Sequence, residues 1–92
     1  MIRSWLHKGL NDFFETGSKK GIPPALATRI RIRLDALDAA VAAADLDLPG
    51  FNLHELKGDR KGTGSIWVNG NWRITFTFAG RDASDVNIED YH

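Results

Sequence analysis

The chain has 92 residues, and its 12 Lys and Arg are balanced by 12 Asp and Glu, so its formal net charge is zero. That length provides for a single domain over 1–92 with one core, and no apolar run is long enough to cross a bilayer. The chain has no Cys, which excludes disulfides and thiol chemistry; the neutral balance argues against a broad, non-specific nucleic-acid binder, and the polar opening lacks the apolar stretch of a signal peptide, which points to the cytoplasm.

Ile2 to Trp5 reads as a short edge strand. Leu6, Leu10, Phe13 and Phe14 then recur at helical spacing, and Gly17 supplies the left-handed residue that ends many helices. Pro23-Pro24 suits the first turn of a second helix. Its apolar stripe is Leu26, Ile30, Leu34, Leu37 and Val41, with Arg29, in part Arg31, Arg33, Asp35 and Asp38 expected on a solvated opposite side. The alanine run Ala39 to Ala44 has high helix propensity and is expected to prolong this helix until Asp45 to Gly50 ends it. Strand character follows: Phe51 and Leu53, a loop from Lys57 to Gly62, Ser65 to Val68, a turn at Asn69-Gly70, Trp72 to Phe78, a turn at Gly80 to Asp82, and a last strand from about Ser84 to His92. Helices followed by an antiparallel meander imply an α+β domain, with two N-terminal helices packed on one face of a small sheet.

The Asn-Gly pair is a strong two-residue hairpin signal. Taken alone it would pair Trp67 with Trp72 and put Ile66 and Val68 on the same face as Arg73. An odd-length connection with a bulge instead gathers Ile66, Val68, Trp72, Ile74, Phe76 and Phe78, and burial governs register more firmly than turn propensity. Ser65, Trp67, Arg73, Thr75 and Thr77 then occupy the open face, away from the helices.

Charge is unevenly spread. Lys57, Arg60, Lys61 and Arg73 form a basic patch, and the acids gather around Asp35 to Asp47 and Asp82 to Asp90. Such a patch on a neutral chain fits a small, geometrically specific anionic target. The last strand alternates Val86, Ile88, Asp90, His92, so an apolar face runs on into an acid and an imidazole, with Tyr91 between them. Together with His54 these are two imidazoles, a carboxylate, a phenol and several cations, without an obvious nucleophile. That set suits cleavage of RNA by its own 2′-OH: one group takes the hydroxyl proton, cations stabilise the crowded phosphate, and another group protonates the departing 5′-oxygen. Bland alternatives stand beside it. His54 also reads as a spacer at a strand end, the basic loop as a solvated turn, Arg73 as half of a cross-strand ion pair, and Trp67 as part of a partner interface rather than a base-stacking ring. A two-His, one-carboxylate metal set of His54, Asp90 and His92 is disfavoured by Lys57 and Arg73, which would repel a cation.

The run from Leu53 to Gly62 (LHELKGDRKG), then Ser65-Ile66-Trp67-Val68-Asn69, then Asn71-Trp72-Arg73-Ile74-Thr75-Phe76, and the ending Asp90-Tyr91-His92 resemble the HigB, or plasmid maintenance killer, branch of the RelE-like toxins. Four blocks in order over nearly the whole chain carry the resemblance. It implies the RelE-like microbial RNase fold and the toxin of a type II toxin–antitoxin pair, a metal-independent endoribonuclease, without cofactor, that cuts mRNA in the A site of the 70S ribosome. It also implies a HigA-type helix-turn-helix antitoxin, through which alone operator DNA is contacted. By the same resemblance His54, Asp90, Tyr91 and His92 are catalytic, Lys57 and Arg73 stabilise the scissile phosphate, and Asn71 helps to hold the A-site nucleotide; Arg60 of the basic loop joins the RNA-binding set. Two features depart from the pattern. Gly64 stands where the family usually has Trp or Tyr, which leaves that position without a stacking ring, and the neutral charge implies weaker ribosome affinity than basic relatives have. The competing expectation is a non-catalytic module that pairs with a helix-turn-helix repressor and modulates its DNA binding.

Overall fold

The computed structural model describes residues 1–90. Helix α1 spans Lys8–Thr16; His7 caps its start, its Nδ1 accepting the Leu10 N–H at 3.1 Å. Gly17 ends it at φ 81°, and its N–H reaches the Phe13 carbonyl. A 3-10 turn at Pro24–Leu26 leads into α2, Ala27–Ala39. The described residues then form a four-stranded antiparallel sheet in sequential order: β1 (His54–Glu55), β2 (Gly64–Asn69), β3 (Trp72–Ala79) and β4 (Asp82–Asp90). This is the expected α+β arrangement of a RelE-like fold.

The core is built by periodicity. Leu10 and Phe13 of α1 and Ile30, Leu34 and Leu37 of α2 meet Ile66, Val68, Ile74, Phe76, Val86 and Ile88 of the sheet. The turn between β2 and β3 holds two residues, Gly70-Asn71, and a bulge between Trp67 and Asn69 supplies the odd count, so Ile66 pairs with Ile74 and Trp67 with Arg73. The expected grouping of faces is therefore observed, by a bulge inside β2 rather than by a longer turn. A second bulge lies between β3 and β4, where the register shifts between Thr75 and Thr77. Asp85 takes the left-handed conformation there, at φ 54°, which lets both Ala83 and Val86 turn inward. The N-terminal segment runs parallel to β4 through bridges from Ile2 to Ala83 and from Trp5 to Val86, a pair of contacts rather than a regular strand.

Three expectations are corrected. Helix α2 stops at Ala39, and Ala40 is extended at ψ 144°. The Asp45 carboxylate accepts the N–H groups of Val41 and Ala42 at 2.9 and 3.2 Å, which outweighs alanine propensity and turns the chain so that Leu46 enters the core. Val41 is consequently exposed rather than part of the stripe. Arg33 is buried, not solvated: its Nε donates to the Trp67 carbonyl at 2.6 Å, and its guanidinium lies 4.8 Å from the Phe51 ring. Finally, the sheet face away from the helices is not open at its centre, because Ser65 and Thr75 are buried there.

Candidate functional site

The bulge in β2 decides which side chains meet on that second face. Trp67 lies opposite Arg73, Ser65 opposite both His54 and Thr75, and Arg73 opposite Glu89. Asn52, His54, Ser65, Trp67, Asn71 and Arg73, with Gly70 and Trp72, line a recess of about 130 Å³. Three of the residues picked out from sequence, His54, Asn71 and Arg73, thus share one concavity. His54 is exposed at the rim, its Nδ1 3.0 Å from the Asn52 carbonyl oxygen. This contact orients the ring and leaves Nε2 for a substrate. The Trp67 indole N–H is bonded to the Gly70 carbonyl at 2.9 Å, which holds the ring as one wall.

The basic loop lies beside this recess. Lys57 is exposed where the chain enters the 3-10 turn Gly58–Arg60. Arg60 is exposed, but its fork meets the Glu89 carboxylate. Glu89 also accepts the Thr75 hydroxyl at 2.8 Å and lies 3.5 Å from Arg73 Nη2. Hydrogen bonding from Arg60, ahead of that from Thr75 and the charges of Arg60 and Arg73, outweighs desolvation and holds the Glu89 carboxyl at about 2. The Arg60 guanidinium is correspondingly pushed up, mainly by the same hydrogen bond. Sequence reasoning passed over Glu89. The signal for it was present, since aligning Ile74 with Ile88 on the apolar face puts Glu89 across from Arg73.

Asp90 ends β4, exposed and opposite Trp72, so its register position belongs to the other face from Arg73 and Glu89. Tyr91 and His92 lie outside the described residues. The arrangement thus brings an imidazole, an amide, an indole and a guanidinium to one recess, with an ammonium on the adjoining loop. Such a set can grip a phosphate and a neighbouring base and offers an imidazole to take or give a proton.

A two-helix layer over an antiparallel meander, with a cationic recess on the sheet, is the architecture of a small RelE-like toxin. The family model described as "RelE-like toxin of type II toxin-antitoxin system HigB" matches residues 3–92, and the chain belongs to this family of HigB-like toxins. It is 49% identical to "Endoribonuclease HigB" of Proteus vulgaris over 92 residues, the full length of both chains. It is also 38% identical to "Toxin HigB-1" of Vibrio cholerae serotype O1 (strain ATCC 39315 / El Tor Inaba N16961), over 99% of this chain and 98% of that protein. Membership of a toxin–antitoxin family gives the chain an antitoxin partner. Among the described residues, no helix is long and apolar enough to cross a membrane.

Proposed function

We propose that this toxin, acting as one unit over 1–92, is a metal-independent endoribonuclease that cuts mRNA in the A site of the 70S ribosome, in the cytoplasm, through attack by the RNA's own 2′-OH. Endonucleolytic activity comes with the full-length kinship to Endoribonuclease HigB. The observation that carries the reading is the convergence of His54, Asn71 and Arg73 on one recess. In this scheme Arg73 and Lys57 stabilise the negative charge that grows on the phosphate, and Asn71 holds the nucleotide beside it. His54, Asp90, Tyr91 and His92 divide the two proton transfers, one from the 2′-OH and one to the 5′-oxygen. A HigA-type helix-turn-helix antitoxin neutralises the toxin and carries it to operator DNA.

The test is primer extension on mRNA translated in a reconstituted system. Wild type is expected to give discrete cuts at A-site codons, and His54→Ala, Arg73→Ala and deletion of His92 each to reduce cutting by about 100-fold or more, the typical loss on removing a proton-transfer group or a charge-stabilising donor. Cutting that persists undiminished in all three would refute the assignment. A wild type that binds its antitoxin but cuts nothing would leave the non-catalytic partner module as the function.

A further inference from the structure

Among the described residues, Glu89 is an acid held among the cations of the second face, and three side chains engage it. The Arg60 fork grips its two oxygens in parallel, Nη1 to Oε1 at 2.8 Å and Nη2 to Oε2. Thr75, itself buried, donates to Oε2, and Arg73 approaches Oε1. Arg60 belongs to the basic loop and Glu89 to the last strand, 29 residues apart, so the pair joins two separate parts of the fold. Among the described residues, the backbone bonds of the loop run within it, from Leu56 to Thr63, Lys61 to Gly58 and Thr63 to Arg60, and do not reach β3 or β4.

A planar fork-to-fork pair fixes orientation as well as distance, which a single ammonium contact cannot do. With both arms turned to Glu89, Arg60 has its charge offset locally and two of its five N–H donors committed. Glu89 also lies between two guanidinium groups that would otherwise repel one another. We propose that Glu89 and Arg60 form a latch that clamps the basic loop to the sheet and so sets the spacing between Lys57 and Arg73, Glu89 being a positioning residue and Arg60 a tether rather than a direct RNA contact. The latch is a property of the free protein; its effect on cleavage rests on the ribonuclease reading. The carboxyl is ionised throughout the neutral range, so the latch is closed under the conditions of translation.

Arg60→Ala, Glu89→Gln and the double variant test this by two readouts. The first is amide hydrogen exchange over residues 57–62 in the free toxin. Each single variant is expected to speed exchange by about tenfold, the loss of roughly 1.4 kcal/mol of local protection, and the double variant to go no further. The second is single-turnover cleavage of translated mRNA. A positioning role lowers kcat by about tenfold in each single variant with KM nearly unchanged, and the double variant matches the singles because both remove one interaction. Unchanged exchange in the variants overturns the latch, as does faster exchange without a fall in kcat. A rise in KM for Arg60→Ala with none for Glu89→Gln overturns it in favour of a direct Arg60–RNA contact. A wild type that does not cut overturns the ribonuclease reading, and the exchange data then decide the latch alone.

Discussion

A Cβ added at Gly64 would stand 2.6 Å from Cε2 of the Phe76 ring, its cross-strand partner. The ring is 1% exposed and cannot swing outward freely. At this position, where the resemblance leads to the expectation of a large ring, the glycine instead lets Phe76 close over β2. Beside it opens an apolar hollow of about 320 Å³ whose lining includes Ala43, Leu53, Phe76 and Phe78.

This contact sets two effects against each other in Gly64→Ala. Replacing a strand glycine removes backbone freedom from the unfolded chain, worth about 0.5–1 kcal/mol of stability. Forcing a methyl group against a buried ring costs about 1–3 kcal/mol. The clash wins, so Gly64→Ala is expected to lower stability by about 1–2 kcal/mol. A smaller partner should relieve it: Gly64→Ala in a Phe76→Leu background should cost less than in wild type. Urea midpoints of the four proteins measure the coupling, and simple additivity would contradict it.

The Glu89 carboxyl gives the toxin a definite acid response. Its folded value of about 2 lies below the ordinary 4.5, so folding favours the ionised form. The stabilisation is then fully present above about pH 4.5 and is lost as pH falls toward 2. The side chain is 22% exposed and Arg60 44%, so solvent screening leaves on the order of 1–2 kcal/mol. Urea unfolding between pH 6 and pH 2.5 should show wild type losing this amount more than Glu89→Gln does. Parallel pH curves for the two proteins would assign no such role to the Arg60–Glu89 pair.

The sheet was legible because burial imposes alternation, and alternation outranks turn propensity. Ile66, Val68, Ile74 and Phe76 had to share a face, and the β2 bulge is the backbone's way of allowing it. Residues such as His54 and Arg73 could be picked out because few side-chain types can move protons or hold phosphate. Less legible were features set by competition between local and distant partners. An acceptor four residues on, Asp45, outweighs the helix propensity of the alanine run. Glu89 was hidden by the reactive residues after it, although its register position followed from the apolar pairing. Arg33 looked like surface because arginine usually is, yet it lies three residues after Ile30 and next to Leu34, within the buried arc of α2.

Arg33 supports the recess from beneath, and its removal should be the most damaging of the changes considered. Its Nε donates to the Trp67 carbonyl, Nη1 to that of Arg29 at 3.2 Å and Nη2 to that of Gly50 at 3.4 Å. It thereby ties α2 to β2 and to the segment leading into His54, where the Phe51 carbonyl in turn accepts the Trp67 N–H at 2.7 Å. Burial, with the nearby Arg29 charge, lowers its pKa, so the fold works against an energetic cost to keep a cation there. Arg33→Ala removes the packing over Phe51 and takes its donor from three carbonyls in part-buried surroundings, at about 3 kcal/mol or more. Arg33→Lys should recover only part of this, since one ammonium cannot span three carbonyls at fixed angles. Arg33→Met keeps most of the volume and none of the donors, and so separates packing from hydrogen bonding. Urea unfolding at constant m should rank the variants wild type, Lys, Met, Ala. A Met variant as stable as wild type would mean that the guanidinium contributes shape alone and that its three carbonyl contacts add nothing net.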